Sequence, residues 1–185
     1  MKKFLITSSP NSQFSLFQKG FTLVELLVVI AILGILAAAI LVALDPVEQI
    51  ARGRDSGRKT TISQLGNAVQ SYFTVQAAYP VASATWLTTL TSAGELKSAP
   101  PANTPAPTCG ASAFNQNGYC YQLNGVEAVV YTLAESKTEK VRAGGGTTCA
   151  STTWIVWSTR DGGKTGVYCN ATAPDGSAAL GANLK

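Results

Sequence analysis

Glu25 is the residue whose type and position most need a chemical explanation. It lies between Leu23-Val24 and the run Leu26–Leu44, nineteen residues with no polar side chain. An ionised carboxylate at the centre of a membrane helix costs about 2.5–3.5 kcal/mol on insertion scales. Two interpretations stay open. Either the carboxylate lies close enough to the membrane surface to reach the lipid headgroups, or a positive group compensates its charge.

Histidine is absent from the sequence. Because histidine is the commonest general base and the commonest metal ligand, its absence argues against a catalytic or metal centre. The run Gly144–Gly146 lacks the strand, helix and lysine of a phosphate-binding loop, so we interpret it as a flexible connection. Asp161 and Asp175 are oxygen donors in loops, but no dense acidic cluster surrounds them. We therefore expect no enzyme activity, no cofactor and no bound metal.

Four cysteines lie in the C-terminal half of the chain: Cys109, Cys120, Cys149 and Cys169. A zinc site would need all four thiolates at irregular spacings, whereas an even number of cysteines in an exported chain predicts disulfides. Four cysteines allow three pairings. We prefer the sequence-local bridges Cys109–Cys120 and Cys149–Cys169, because each would close one loop beside a predicted strand. Each bridge would contribute about 2–4 kcal/mol.

The apolar run after Glu25 is long enough to cross a membrane. Its residues span about 28 Å as a helix, close to the thickness of a bilayer core. Lys2, Lys3 and Lys19 precede the run without an acidic neighbour, and they supply three of the four net positive charges of the chain. This position favours a leader on the cytoplasmic side. The basic residues within 52–59, on the far side of the run, weaken the asymmetry.

The segment from Lys19 to Ala39, K-G-F-T-L-V-E-L-L-V-V-I-A-I-L-G-I-L-A-A-A, resembles a known signal. It is similar to the class III signal of type IV prepilins and type II secretion pseudopilins. The resemblance implies that a prepilin peptidase cuts between Gly20 and Phe21, that Phe21 is N-methylated, and that Glu25 is the acidic position of the motif. The implied partners are identical and related pilin subunits, an inner-membrane assembly platform, and the cell membrane before assembly.

The physical chemistry of Gly20, Phe21 and Glu25 agrees with that resemblance. Cleavage would free a positive amino group on Phe21, about one helical turn from Glu25. When copies stack with an axial offset, the Glu25 carboxylate of one copy meets the amine of its neighbour, so two charges that are costly alone compensate each other. Glu25 is thus the predicted assembly residue. Gly20 has no Cβ to obstruct a peptidase site that binds extended backbone.

A long helix is needed to position these residues. We expect a leader at 1–20, a stalk helix at 21–77 that crosses the membrane over 21–44, and a head domain at 78–185. Gly34 and Pro46 are predicted weak points of the helix, since glycine disfavours helix and proline donates no hydrogen bond. Whether the segment between them unwinds in a filament stays open.

The second half of the stalk shows apolar residues at three- and four-residue spacing, which predicts a stripe packed on a sheet. We interpret the basic cluster within 52–59 as a solvated or inter-subunit face and not a nucleic-acid patch, because no aromatic residue is interleaved. The stripe comprises Ile62, Leu65, Val69 and either Tyr72 or Phe73.

The head is predicted to contain a short helix at Thr85–Ser92 and four strands. Asn124-Gly125 is a hairpin signal between the first two strands. The predicted fold class is α+β and pilin-like, a long N-terminal helix packed on a C-terminal antiparallel sheet of about four strands. The predicted strands are Tyr119–Leu123, Ala128–Leu133, Thr153–Ser158 and Gly166–Cys169.

The sequence therefore predicts a structural subunit of a type IV pilus-like filament. Such a protein is a single-pass membrane protein before assembly, and afterwards lies in an extracellular pilus or a periplasmic pseudopilus. The alternatives are a pseudopilin of a type II secretion or DNA-uptake system, a minor pilin whose head binds DNA or a surface, and a monomeric signal-anchored exoprotein. Nucleic acid is the least expected partner, because little net positive charge lies beyond the leader.

Overall fold

The computed structural model describes residues 20–177 together with Leu180 and Leu184. The predicted leader, apart from Gly20, lies outside these residues. The chain divides into two compact units between Leu44 and Asp45. Within the described residues, the first unit contains one helix, and the second contains the other helices and the sheet.

Helix α1, Leu23–Leu44, is the helix of the first unit. All of its side chains are exposed, although almost all are apolar. The helix is continuous at Gly34, where an added Cβ would meet nothing within 4 Å. By length and composition α1 could cross a membrane.

Helix α2, Pro46–Gln76, begins the second unit. Asp45 precedes it in a left-handed conformation, φ 39° and ψ 71°, and its carboxylate accepts a hydrogen bond from the N–H of Glu48. Pro46 occupies the first turn, where a helix tolerates proline because the missing N–H would have no partner there. The sequence analysis expected a helix loosened at Pro46. The backbone instead leaves the helical region at Asp45, and the proline opens the next helix.

The head contains one antiparallel sheet in which each strand pairs with the next along the chain. Gly125, with φ 62°, lies in the predicted hairpin connection between the second and third strands. Two short helices accompany the sheet, α3 (Trp86–Ser92) before it and α4 (Lys137–Ala143) between the third and fourth strands. The strands are β1 (Phe114–Gln116), β2 (Tyr119–Asn124), β3 (Glu127–Leu133), β4 (Thr153–Ser158) and β5 (Lys164–Cys169).

The predicted α+β, pilin-like fold class is confirmed, and the sheet has five strands in the described part of the chain where about four were predicted. The additional strand is β1, whose three residues Phe-Asn-Gln carry too little pattern to predict a strand. The sequence analysis also missed α4. It interpreted Gly144–Gly146 only as a flexible connection, and Gly144 is in fact the C-cap of α4.

The main core lies between α2 and one face of the sheet. Ile62, Leu65 and Val69 of the predicted stripe are buried there, and burying each such side chain contributes roughly 1.5–3 kcal/mol. Gly66 lets α2 approach the sheet closely, because a Cβ at this position would lie 2.3 Å from the Trp157 ring. The spacing of the helix from the sheet therefore depends on this glycine.

The opposite face of the sheet carries a second apolar cluster. It forms because neighbouring residues of a strand point to opposite faces. Tyr121 of β2 joins the core under α2, whereas Cys120 joins the second cluster. Other members of the second cluster are Val129, Tyr131, Trp154, Val156 and Leu180.

Two disulfides connect loops to strands of the sheet. Cys109 bonds Cys120 of β2, and Cys149 bonds Cys169 of β5. This is the sequence-local pairing among the three that the sequence allows. Each bridge closes a short loop and so lowers the entropy of the unfolded chain, by an amount worth about 3 kcal/mol.

Arg58 of α2 is buried, which corrects the sequence analysis for this one residue of the 52–59 cluster, predicted to form a solvated or inter-subunit face. Its side chain is 4% exposed, and all five guanidinium N–H groups have acceptors. Asp55 accepts one of these bonds at 3.0 Å and Glu135 accepts another. The remaining acceptors are the Asn103 Oδ1 and the carbonyl oxygens of Leu133 and Thr104.

Asp55, 1% exposed, completes this charged centre. Its carboxylate also accepts hydrogen bonds from the backbone N–H groups of Glu135 and Ser136, just before α4. The buried charges are therefore paired and fully hydrogen-bonded, the condition under which burial of charge is tolerated.

We expect Arg58→Met to lower the free energy of unfolding by about 3–5 kcal/mol, because it leaves the Asp55 carboxylate buried without its cation. Arg54→Met is the matched control. Arg54 bonds the same Glu135 at 2.9 Å, but its side chain is 52% exposed, and exposed pairs contribute about 0–1 kcal/mol. Denaturant unfolding of the full chain in detergent measures both. Equal losses for the two variants would contradict the structural role of burial.

Glu48 holds the start of α4 against the first turns of α2. Its carboxylate accepts the backbone N–H groups of Lys137 and Thr138 at 2.9 and 3.2 Å, and Arg52 bonds it at 3.0 Å. The hydrogen bond from Lys137, followed by those from Arg52 and Thr138, lowers the pKa of Glu48 to about 2. Folding therefore favours the ionised form of the Glu48 carboxylate.

We expect acid to weaken this contact. Because the pKa of Glu48 is lower in the folded state, its stabilising contribution is complete above pH 4.5 and is lost as the pH falls toward about 2. Thermal unfolding of the wild type and of Glu48→Gln should therefore differ most at neutral pH and converge in acid. A difference in Tm that stays constant from pH 7 to pH 2 would contradict the assignment.

Candidate functional site

The segment from Gly20 to Glu25 leads into α1 and contains the predicted processing site. Gly20 and Phe21 precede the helix as irregular backbone, and both are exposed. An added Cβ at Gly20 would meet nothing within 4 Å. Within the described structure, packing therefore does not require glycine at this position, and the backbone on either side of the Gly20–Phe21 bond is accessible.

Glu25 forms a capping box with Thr22 at the start of α1. The Glu25 carboxylate accepts the Thr22 backbone N–H at 2.9 Å and the Thr22 hydroxyl at 2.8 Å. The Thr22 Oγ1 in turn accepts the Glu25 N–H at 3.2 Å. These reciprocal bonds satisfy groups that a helix end leaves without partners. The negative charge also lies at the positive end of the helix dipole.

Sequence analysis identified Glu25 but missed the role of Thr22. The signal was present, because Thr22-Leu23-Val24-Glu25 has the S/T-x-x-E spacing of a capping box directly before an apolar run. The capping box shows how one carboxylate is held at the helix start in this single chain. It uses one carboxylate oxygen and supplies hydrogen bonds, but no positive charge.

The exposed surface of α1 determines the kind of environment that the segment from Gly20 to Glu25 requires. Large apolar side chains cover the helix from Leu23 to Leu44, and none is buried. Water would oppose that exposure, since each fully buried Leu, Ile or Val side chain gains roughly 1.5–3 kcal/mol. The helix therefore needs an apolar environment from lipid or from other helices.

The cysteines and the loop aspartates considered in the sequence analysis lie in the second unit. All four cysteines are bonded in the two disulfides. Asp161 accepts the N–H of Leu180, and Asp175 accepts the N–H and hydroxyl of Ser177. Among the residues with described positions, no three His, Cys, Asp or Glu side chains group as metal ligands.

Comparison with protein families identifies the same segment. Residues 16–41 match the model of the prokaryotic N-terminal methylation motif. The comparisons with curated proteins and with solved structures gave no match. The match covers Gly20, Phe21, Thr22 and Glu25, so the capping box lies inside the motif. The chain therefore carries the N-terminal methylation motif over the same segment that the sequence analysis identified as similar to the class III signal of type IV prepilins and pseudopilins.

Proposed function

We propose that the protein is a structural subunit of a type IV pilus-like filament. In this proposal a prepilin peptidase cuts between Gly20 and Phe21 and methylates Phe21. The new N-terminus and α1 then assemble with identical and related subunits on an inner-membrane platform. The role is structural and not catalytic.

One observation carries the proposal: an acidic side chain stands at the start of an apolar helix whose whole surface is exposed. The hydrocarbon core of a bilayer would satisfy the apolar residues of α1, but it offers no positive group to Glu25 unless the carboxylate reaches the lipid headgroups. Packing with other copies satisfies both, since each neighbour brings apolar surface and a free amino group on Phe21. In an apolar core, that amine and carboxylate form a compensated pair that fixes the axial register of the subunits.

The proposed location follows from the same segment. Before assembly α1 crosses the membrane once, with the leader lysines on the cytoplasmic side and the head outside. After assembly the subunit lies in a filament, either an extracellular pilus or a periplasmic pseudopilus.

The test is the N-terminus of the protein purified from its native cells. We expect a chain that begins with N-methylated Phe21 by intact-mass measurement and that is recovered in sheared filaments. A chain that retains Met1 and is never found in filaments would overturn the proposal and favour a signal-anchored exoprotein. Abundant copies in external filaments indicate a major pilin, a few copies indicate a minor pilin, and recovery only from a periplasmic pseudopilus indicates a pseudopilin.

A further inference from the structure

Three exposed basic side chains lie around the start of α2: Arg52 and Arg54 of α2, and Lys137 of α4. We call them the basic collar. Successive residues of a helix turn by about 100°, so Arg52 and Arg54 lie about 200° apart around the axis of α2. Lys137 joins them because its Nζ bonds the carboxylate of Asp45, the residue before α2, at 2.7 Å. The collar therefore presents positive charge on more than one side of the helix.

The ion pairs of the two arginines expose the cation and bury the carboxylate. The side chains of Arg52 and Arg54 are 49% and 52% exposed, whereas their partners Glu48 and Glu135 are 8% and 18% exposed. The Glu48 carboxylate is bonded to backbone N–H groups at the start of α4. Of the described acidic partners in the collar, only Asp45 is comparably exposed, at 50%. An approaching anion would therefore meet mainly positive groups.

Exposed apolar side chains adjoin the collar in the first turns of α2. Val47 is 72% exposed and Ile50 is 59% exposed. Val47, Ile50 and Arg54 have the spacing i, i+3 and i+7, which places them on one face of the helix. Apolar side chains next to cations are typical of a surface that lies in a membrane interface, where the first enter the boundary of the acyl chains and the second attract anionic lipid.

The collar is close enough along the chain to reach lipid headgroups. Only Asp45 separates α2 from the end of α1, and Arg52 and Arg54 lie about 9 and 12 Å along the helix axis from Pro46. The headgroup layer of one leaflet is roughly 5–8 Å thick. Side chains of a helix lean toward its N-terminus, and Arg52 does so, since its Nε bonds Glu48 one turn earlier. The guanidinium groups can therefore reach back toward the headgroups.

We propose that the basic collar binds the headgroups of anionic phospholipids, in the leaflet on the side of the head. The inference rests on the proposed function for one point, that α1 crosses the membrane with the head outside. A single docked protein would contact one side of α2, whereas lipid surrounds a membrane helix on every side, as the collar does. The contact would fix the depth of the unassembled subunit in the membrane, and it would have to break when α1 leaves lipid for a filament.

The test measures lipid retained by the full chain in an uncharged polyoxyethylene detergent, by native mass spectrometry. Phosphatidylglycerol and phosphatidylcholine with the same acyl chains are titrated separately. Each basic residue near an anionic membrane surface contributes about a fivefold gain in affinity. We expect the wild type to retain phosphatidylglycerol at about tenfold lower concentration than phosphatidylcholine. Arg52→Gln combined with Arg54→Gln should reduce this preference about fivefold or more.

The double variant should fold, because Glu48 keeps the backbone N–H of Lys137 and Glu135 keeps Arg58. Lys97→Gln combined with Lys164→Gln is the matched control. It removes the same charge from two exposed residues, one after α3 and one at the start of β5, and both lie outside the collar. This control should keep the wild-type preference.

The proposal is overturned if the wild type retains both lipids equally, or if the collar variant and the control prefer phosphatidylglycerol to the same degree. If the wild type shows no preference and the collar variant is depleted from sheared filaments, the collar contacts another subunit and not lipid. Lipid retention is measured on the unassembled chain, so its failure is distinguishable from a failure of processing or assembly, which the N-terminus and the filament fraction report.

Discussion

Gly20→Val should leave the protein at its precursor length, with essentially no processed form. Packing within the described structure does not require a glycine at this position, because a Cβ at Gly20 would meet nothing within 4 Å. A β-branched side chain would therefore leave the described fold unchanged while obstructing a peptidase that binds extended backbone at this bond. Gel mobility and intact mass of the protein expressed with its peptidase measure the result.

Gly34→Val is the matched control for this prediction. Gly34 is also a glycine with nothing within 4 Å of an added Cβ, but it lies inside α1 and away from the Gly20–Phe21 bond. The control should be processed normally. If Gly20→Val still yields the processed form at the wild-type rate, cleavage does not depend on this glycine and the assigned bond is wrong.

The predictable part of the fold is the part encoded in local periodicity. The apolar residues Ile62, Leu65 and Val69 recur at helical spacing, and the structure buries all three. Strands β2 to β5 carry enough apolar pattern to be located within a few residues of their observed ends. β1 has only three residues, two of them polar, and it exists because β2 offers a partner. Pairing of that kind leaves no periodic signal in the strand itself.

The buried charges of α2 could not be predicted for a different reason. Asp55 and Arg58 continue the same helical stripe as Ile62, but their residue types indicate a solvated surface. Their partners, such as Glu135 and Ser136, are more than seventy residues away in sequence. Only the folded chain shows that these backbone and side-chain groups converge.

The sequence did contain one signal that the sequence analysis missed, the capping-box spacing at the start of two helices. Thr22-x-x-Glu25 and Ser136-x-x-Glu139 both have capping-box spacing, and in both the hydroxyl accepts the N–H of the glutamate. The second would have located α4. The first adds a competing role for Glu25, because a residue that caps its own helix need not have an intermolecular function.

Glu25→Gln should be processed normally and yet yield almost no filaments. Glutamine keeps a side-chain oxygen that can accept the Thr22 hydrogen bonds, as in the Gln form of the capping box. It removes the negative charge, so the free amine of a neighbouring Phe21 would lie in the apolar core without its counter-ion. Breaking a buried ion pair by removing one partner costs about 3–5 kcal/mol. Quantifying processed subunit in sheared filaments relative to total processed subunit measures the loss.

Thr22→Val distinguishes the effect of the Glu25 charge on assembly from the effect of the capping hydrogen bonds between Thr22 and Glu25. It keeps the Glu25 carboxylate but removes the hydroxyl that donates to it at 2.8 Å and accepts the Glu25 N–H at 3.2 Å. Loss of an N-cap costs about 0.5–2 kcal/mol of helix stability, and packing against other copies of α1 offsets that cost, so filaments should still form. If Thr22→Val abolishes filaments while Glu25→Gln assembles normally, the carboxylate serves α1 alone. Loss of assembly only when the charge is removed means that Glu25 acts between subunits.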